Sequence, residues 1–229
     1  MAQLTAEDAK TRNIEKMGEA LGNQYSALWQ EVASLYTKWG EYVELFGTGP
    51  SRVDLLNQAA PAFFRLVQDS LWDDVLLHLA RLTDPPQSVG KSNLTICNLL
   101  HLATHPRTQK TLPALVHAAV EKARFSRDWR NRRIAHRDLQ LSLDGSASPL
   151  ALASRQHVKD ALSTIVAVLN EIEIVYMDSQ TFFEGVPGHP GGALSLLYVL
   201  DDGVTAEAER QERLKQGKWS ERDVSRRHL

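Results

Sequence analysis

Cysteine is almost missing from this chain: Cys97 is the only one in 229 residues. A single thiol excludes an intrachain disulfide and any zinc site built on cysteines, and it suits a reducing compartment. Long apolar runs are missing too. No stretch approaches 18 uninterrupted apolar residues, so no membrane span is expected. The opening MAQLTAEDAKTR lacks the apolar core of an export signal, which makes the cytoplasm the expected location. Nor is there an excess of charge of one sign. The formal net charge is −2 and the pI about 6.4, which excludes a surface coated in basic charge and leaves only a local patch for any nucleic acid. No glycine-rich phosphate loop and no Ser-His-Asp pattern stands out, and neither repeats nor low-complexity tracts are evident. What remains is ordinary for a folded globular protein, with 43% hydrophobic and 24% charged residues. A chain of this length can bury roughly 70% of its unfolded surface in one core.

The periodicity is helical almost throughout. Tyr25, Leu28, Trp29, Val32, Leu35, Trp39, Tyr42, Val43 and Phe46 step by three and four, one broad stripe of a long helix ended by Gly47, Gly49 and Pro50. Ser51 and Asp54 have the spacing of a capping box and open a segment to Asp84, inside which Pro61 should kink or restart the helix. A short helix is expected near Thr95 to Ala103, then one from about Lys110 to about His136, then a loop over 138–153. Val158, Leu162, Ile165, Leu169, Ile172 and Tyr176 form a seam that wants a partner helix, in the same bundle or in a second copy. After a turn-rich stretch from Gly185 to Gly192, Ala193 to Leu200 reads as a short helix, with one more surface helix from about Thr205. The expected fold is all-α, an antiparallel bundle of about five to eight helices. Residues 1–200 read as a single domain and 201–229 as a polar extension.

One segment departs from the near-neutral average. Between Glu121 and Arg137, Lys122, Arg124, Arg127, Arg130, Arg132, Arg133 and Arg137 face only Glu121 and Asp128, a local net charge of +5. Cations this dense repel one another unless carboxylates of the same chain or an external anion neutralise them. Asp69, Asp73, Asp74, Glu171 and Glu173 are available for the first; a polyanion, RNA above all, would serve the second.

Within this run lies Arg130-Asn131-Arg132-Arg133-Ile134-Ala135-His136-Arg137-Asp138. An arginine and a histidine with four to six residues between them mark the HEPN superfamily. The spacing alone is unspecific, since chance supplies about two matches in such a chain. A second match, Arg222 to His228, falls in the polar tail and is set aside. The polar Asn131 after the arginine, the phrase Arg-Arg-Ile-Ala-His-Arg-Asp, and the upstream stretch from Leu71 to Asp84 resemble the abortive-infection, AbiU-like branch of that superfamily, over roughly residues 20–200.

The resemblance implies a helical bundle, commonly a homodimer, whose arginine and histidine line a shared cleft and cut RNA without metal or other cofactor. On that basis His136 moves the proton, Arg130 clamps the scissile phosphate and Asn131 orients the site. Arg127, Arg132, Arg133 and Arg137 grip the backbone. A protein antitoxin is a candidate partner. The residue types suit the chemistry: imidazole transfers protons near neutral pH, and a guanidinium meets phosphate oxygens in pairs. Attack by the 2′-hydroxyl makes RNA the substrate.

In an uninterrupted helix, six residues put Arg130 and His136 about 120° apart around the axis. Either the helix ends or distorts near Ile134, or a second protomer completes the site. Two readings compete with a nuclease: a non-catalytic module binding RNA or protein through the same basic helix, and a dimerisation domain that neutralises the helix internally. Lesser constellations carry less. His136-Arg137-Asp138-Leu139 begins like a kinase catalytic loop, but Leu143 stands where asparagine is required. His101 and His105 could share a metal on one helix face, but no third ligand is apparent. His78, in an apolar stretch, reads as a core histidine.

Overall fold

The computed structural model describes residues 5–143, 147–184 and 191–225. Eleven α-helices and one two-stranded hairpin account for most of them, so the fold is all-α, as expected. Seven helices have ten residues or more: α1 (Ala6–Met17), α2 (Glu19–Phe46), α3 (Pro50–Ala59), α4 (Pro61–Leu82), α6 (Pro106–Lys122), α9 (Arg155–Met177) and α10 (Ala193–Lys215). The short ones are α5 (Leu99–Leu102), α7 (Arg124–Trp129), α8 (Leu139–Leu143) and α11 (Glu221–Val224). The chain divides into two compact units, one of residues 1–38 and 72–186, the other of 39–71 and 187–229.

In the first unit the expected apolar stripes are the core. Leu28, Val32 and Leu35 of α2, Val75, Leu76 and Leu79 of α4, and Val158, Ile165, Val168, Leu169 and Ile172 of α9 are fully excluded from water. Each such side chain contributes about 1.5–3 kcal/mol of burial. The α9 seam finds its partner helix within the chain, against α6. Close approach of α1 to α2 depends on Gly22: a Cβ there would sit 2.6 Å from the Ile14 Cα. Asn13 Nδ2 donates to Ser26 Oγ nearby at 3.0 Å. In the second unit Leu45, Leu56, Phe64, Ala193 and Leu197 form a smaller buried cluster.

Several boundaries correct the sequence reading. Helix α3 starts at Pro50 with Gly49 as its cap and no side-chain capping bond, so Ser51 and Asp54 form no capping box. Helix α6 starts at Pro106, four residues before Lys110, because His105 Nδ1 accepts from the Arg107 N–H at 3.2 Å and the proline occupies the first helical turn. The basic helix is also not continuous: it breaks at Ala123 and again at Arg130. Pro85 and Pro86 lead into a hairpin, Gln87–Ser88 paired with Lys91–Ser92, which turns through the positive φ of Val89 and Gly90. Part of the expected 138–153 loop is the short helix α8. Finally, Ala193 and Thr205 lie on one helix, α10, and not on two. Most of the turn-rich stretch from Gly185, and His228 of the second Arg-His spacing, lie outside the described residues.

Candidate active site

The basic segment occupies α7 and a widened turn, Arg130–Ile134, in which the Ala135 N–H donates to the Arg130 carbonyl at 2.8 Å. This is a π-helical turn, with one residue more than an α-turn holds. The Asp138 N–H then closes on the Arg132 carbonyl at 3.0 Å, and the helix ends. Of the two alternatives the sequence left open, distortion near Ile134 is therefore present.

Residues three or four apart share a helix face, and that rule sorts the cations into three groups. Arg127 and Arg130 both meet Asp84, the residue that follows α4 and Thr83. Arg130 Nη1 donates to Asp84 Oδ2, and Arg127 Nε lies 3.6 Å from Oδ1. Arg127 Nη2 also donates to the Thr83 carbonyl at 2.7 Å. Asp128 and Arg132 face the loop ahead of α9: Arg132 Nη2 donates to the Ser148 carbonyl at 2.6 Å and Nη1 to the Pro149 carbonyl at 3.2 Å, while Asp128 Oδ2 accepts from the Ala151 N–H at 2.7 Å. Arg132 Nε also donates to Asp138 Oδ2 at 3.2 Å. Trp129 and Arg133 form the third pair, the guanidinium 5.2 Å from the ring centroid. Trp129 itself donates to the Ala151 carbonyl at 2.8 Å.

The seven sequence-selected residues thus fall into different environments. The Arg130 side chain is 22% exposed and Asp84 15%, a half-enclosed ion pair. Asn131 is exposed, and its Oδ1 accepts from Arg130 Nε at 3.0 Å, fixing the guanidinium plane. His136 and Arg137 are exposed beyond the π turn, with no hydrogen bond or ion pair to any described residue. Arg133 is exposed, whereas Arg127 and Arg132 are bound to protein acceptors. No hydrogen bond joins Arg130 to His136.

Asp84 and Asp138 are the residues the sequence reading passed over. Asp84 ends the Leu71–Asp84 stretch, 46 residues before Arg130; the excess of positive charge signalled that some such acid had to exist. Four of the five acids nominated for that role are engaged elsewhere, which corrects the expectation for them. Asp69 pairs with Arg65 at 3.1 Å, Asp74 with Lys38 at 2.7 Å and Glu171 with Arg107 at 3.0 Å, while Glu173 accepts from Tyr25 at 3.0 Å and Thr181 at 2.8 Å. Asp138 Oδ1 caps α8 by accepting from Gln140 and Leu141 N–H groups. The Leu141 amide, together with Arg132, holds its carboxyl below the ordinary carboxylate range.

Beside Asp84 opens a pocket of about 280 Å³ lined by residues including Glu31, His78 and Arg81. His78 is 2% exposed, and its Nε2 lies 2.8 Å from Glu31 Oε2, yet neither ring nitrogen has an aligned hydrogen bond among the described residues. Burial pushes its pKa down from the ordinary value, against the upward pull of Glu31, and Arg81 and Lys38 push the same way as burial. Among the described residues no group of three or more His, Cys, Asp or Glu is arranged to hold a metal ion. No helix among them is long and apolar enough to cross a membrane.

The family model for AbiU2, a HEPN family, matches residues 18–189. No curated protein and no solved structure matches the chain.

Proposed function

The chain belongs to the AbiU2 family of HEPN proteins, and from that premise we propose that it is a metal-independent endoribonuclease of the defence or toxin type. The observation that carries the reading is the contrast between a fixed arginine and an accessible histidine at opposite ends of the π turn. Arg130 is held in place by Asp84 and Asn131 yet partly open, the state a phosphate clamp needs. His136 is exposed and without a protein partner that would compete for its proton.

The 2′-hydroxyl of RNA attacks its own phosphorus, the bond to the 5′-oxygen breaks, and a 2′,3′-cyclic phosphate and a 5′-hydroxyl result. One proton leaves O2′ and one must reach O5′. His136 takes the first, and the same histidine of a second protomer delivers the other. Arg130 neutralises the charge that develops on the phosphoryl oxygens, and Asn131 keeps its guanidinium oriented. Arg133 and Arg137, which face solvent, hold the flanking backbone; Arg127 and Arg132 hold the segment itself. A homodimer suits the apolar side chains around the motif, because Leu139, Leu143 and Leu152 are each more than 70% exposed. A cytoplasmic location fits an RNA substrate, and a cognate antitoxin would act by covering the same face.

The test is cleavage of total RNA and of a labelled single strand in EDTA, wild type beside His136→Ala. Cleavage by wild type alone, with 2′,3′-cyclic phosphate ends, is expected. Equal cleavage by both proteins would sink the assignment of His136.

One observation favours a second reading, a non-catalytic module that docks RNA or a protein. Arg130 is already paired with Asp84, so an incoming phosphate must compete with a carboxylate. That reading expects no cleavage, but binding that falls steeply with salt.

A further inference from the structure

The hairpin after α4 ends in a turn that its own residues do not favour. Gln87 pairs with Ser92 and Ser88 with Lys91, which leaves Val89 and Gly90 as a two-residue loop. Both have positive φ, 49° and 75°. That geometry suits glycine, asparagine and aspartate, whereas a β-branched side chain in the left-handed region is strained. Val89 gains nothing from packing in return, since it is fully exposed. An apolar side chain is thus held in water where its own backbone resists it, a condition that points to function. The base of the hairpin, by contrast, is fixed. Asn93 donates to the Pro85 carbonyl through Nδ2 and to the Pro86 carbonyl through its N–H, both at 2.8 Å, and Thr95 Oγ1 reaches the Asp84 carbonyl at 2.7 Å. Asp84 is the residue that holds Arg130. Val89 follows it by five residues, at most about 17 Å away in a fully extended chain. The charge around the tip has one sign: the chain carries no acidic residue between Asp84 and Glu121, and Lys91 is exposed with no ion pair among the described residues.

We propose that the hairpin is a wedge for single-stranded RNA. Val89 enters against the face of a base near the phosphate held by Arg130 and unstacks it, while Lys91 holds a neighbouring phosphate. Apolar side chains that enter between bases unstack them in this way in other nucleic-acid-binding proteins. The chemistry gives unstacking a purpose. In a stacked strand the 2′-hydroxyl, the phosphorus and the 5′-oxygen are not in line, so the nucleotide must leave the stack before attack can occur. A valine side chain contacts any base face and reads no base edge, so the wedge selects strand flexibility and not sequence. A protein partner fits less well, because the other exposed side chains of the hairpin, Gln87, Ser88, Lys91 and Ser92, are polar and leave Val89 as an isolated apolar point. The proposal rests on the reading of Arg130 as the phosphate clamp, and the two can fail separately.

The experiment uses the full chain and a 2′-O-methyl adenosine strand that carries one 2-aminopurine, a base that brightens when it leaves the stack; the methyl groups block cleavage. Wild type at saturation should brighten the probe. Val89→Asn removes the apolar tip and suits the turn, so it should lose most of that rise while melting about 2–4 °C higher. Added heat stability together with lost unstacking is a pairing that a merely structural role does not produce, and Val89→Gly should likewise lose the rise. Lys91→Gln should lower the log–log salt slope of binding by roughly 0.7 and leave the saturated fluorescence unchanged. Arg130→Ala should weaken binding; unchanged affinity there would remove the clamp while the wedge stands. A brightened probe beside unmodified RNA left uncut in EDTA would keep the wedge and remove the nuclease. No brightening at saturation, or equal brightening by wild type, Val89→Asn and Val89→Gly, would overturn the proposal. Failure to bind the strand at all would overturn it too and leave the tip to a protein partner.

Discussion

The two sides of the π turn treat the same chemistry in opposite ways. Before and within it, Arg127, Arg130 and Arg132 are bound by Asp84, Asp128, Asp138 and three backbone carbonyls. After it, His136 and Arg137 reach into solvent with no protein partner among the described residues. A run of positive charge is thus two things joined together: an architectural half, whose cations are the counter-ions of the bundle, and an outward half that the bundle leaves to something else. The histidines repeat the contrast, His78 sealed at 2% exposure and His136 open. Density of charge alone does not identify a binding surface; what the charge already touches does.

The comparison can be broken first at the proposed chemistry. His136→Ala and Arg130→Ala should each lower metal-free RNA cleavage by at least about 100-fold. His136→Ala should leave the melting temperature unchanged while Arg130→Ala lowers it, because only the arginine is also part of the architecture. Next in size, Asp84→Ala should cost about 2–3 kcal/mol in denaturant unfolding, since it strands two half-buried guanidinium groups; a cost under about 0.5 kcal/mol would show that the ion pair is decorative. Arg132→Ala should cost about 1–2 kcal/mol by releasing the Ser148 and Pro149 carbonyls.

Arg133→Ala and Arg137→Ala should stay within about 0.5 kcal/mol of wild type. Each should instead reduce the salt dependence of RNA binding by roughly 0.7 in log–log slope; wild-type slopes in both would remove them from the interface. The smallest effect concerns protonation. His78 should titrate below its ordinary value of 6.5 in a proton NMR titration, because burial disfavours its charged form. Its neutral form therefore contributes stability that is present above pH 6.5 and lost as pH falls through the folded pKa. His78→Gln should flatten that part of the stability curve.

How much of this was written in the chain depends on the range of the interaction. The α2 and α9 stripes were legible because burial imposes a period of 3.6 residues on apolar side chains. The three faces of the basic segment were legible in principle, as 127 with 130, 128 with 132, and 129 with 133 are helix neighbours. The π turn was visible only as a geometric conflict between Arg130 and His136. Asp84 was not recoverable, since a partner 46 residues away is chosen by packing. The start of α6 was placed four residues late, near Lys110, because a proline suits the first turn of a helix as well as the end of one, and Pro106 is in the first turn. The length of α10 was missed because its second half is polar all round. Contacts such as Arg210 with Glu207 at 2.6 Å and Gln216 with Glu212 at 2.7 Å accompany it there and leave no apolar period to read.

The stretch of chain ahead of α9 has no regular structure, yet Ala151 gives its N–H to Asp128 and its carbonyl to Trp129, and Arg132 clasps the two carbonyls at 148 and 149. Its amide therefore exchanges with solvent on the schedule of the basic segment, opening only when that segment opens. A single deuterium-exchange signal at residue 151 becomes a local clock for the Arg127–Arg132 segment, slowing when a ligand grips the arginines and running fast when the π turn comes undone.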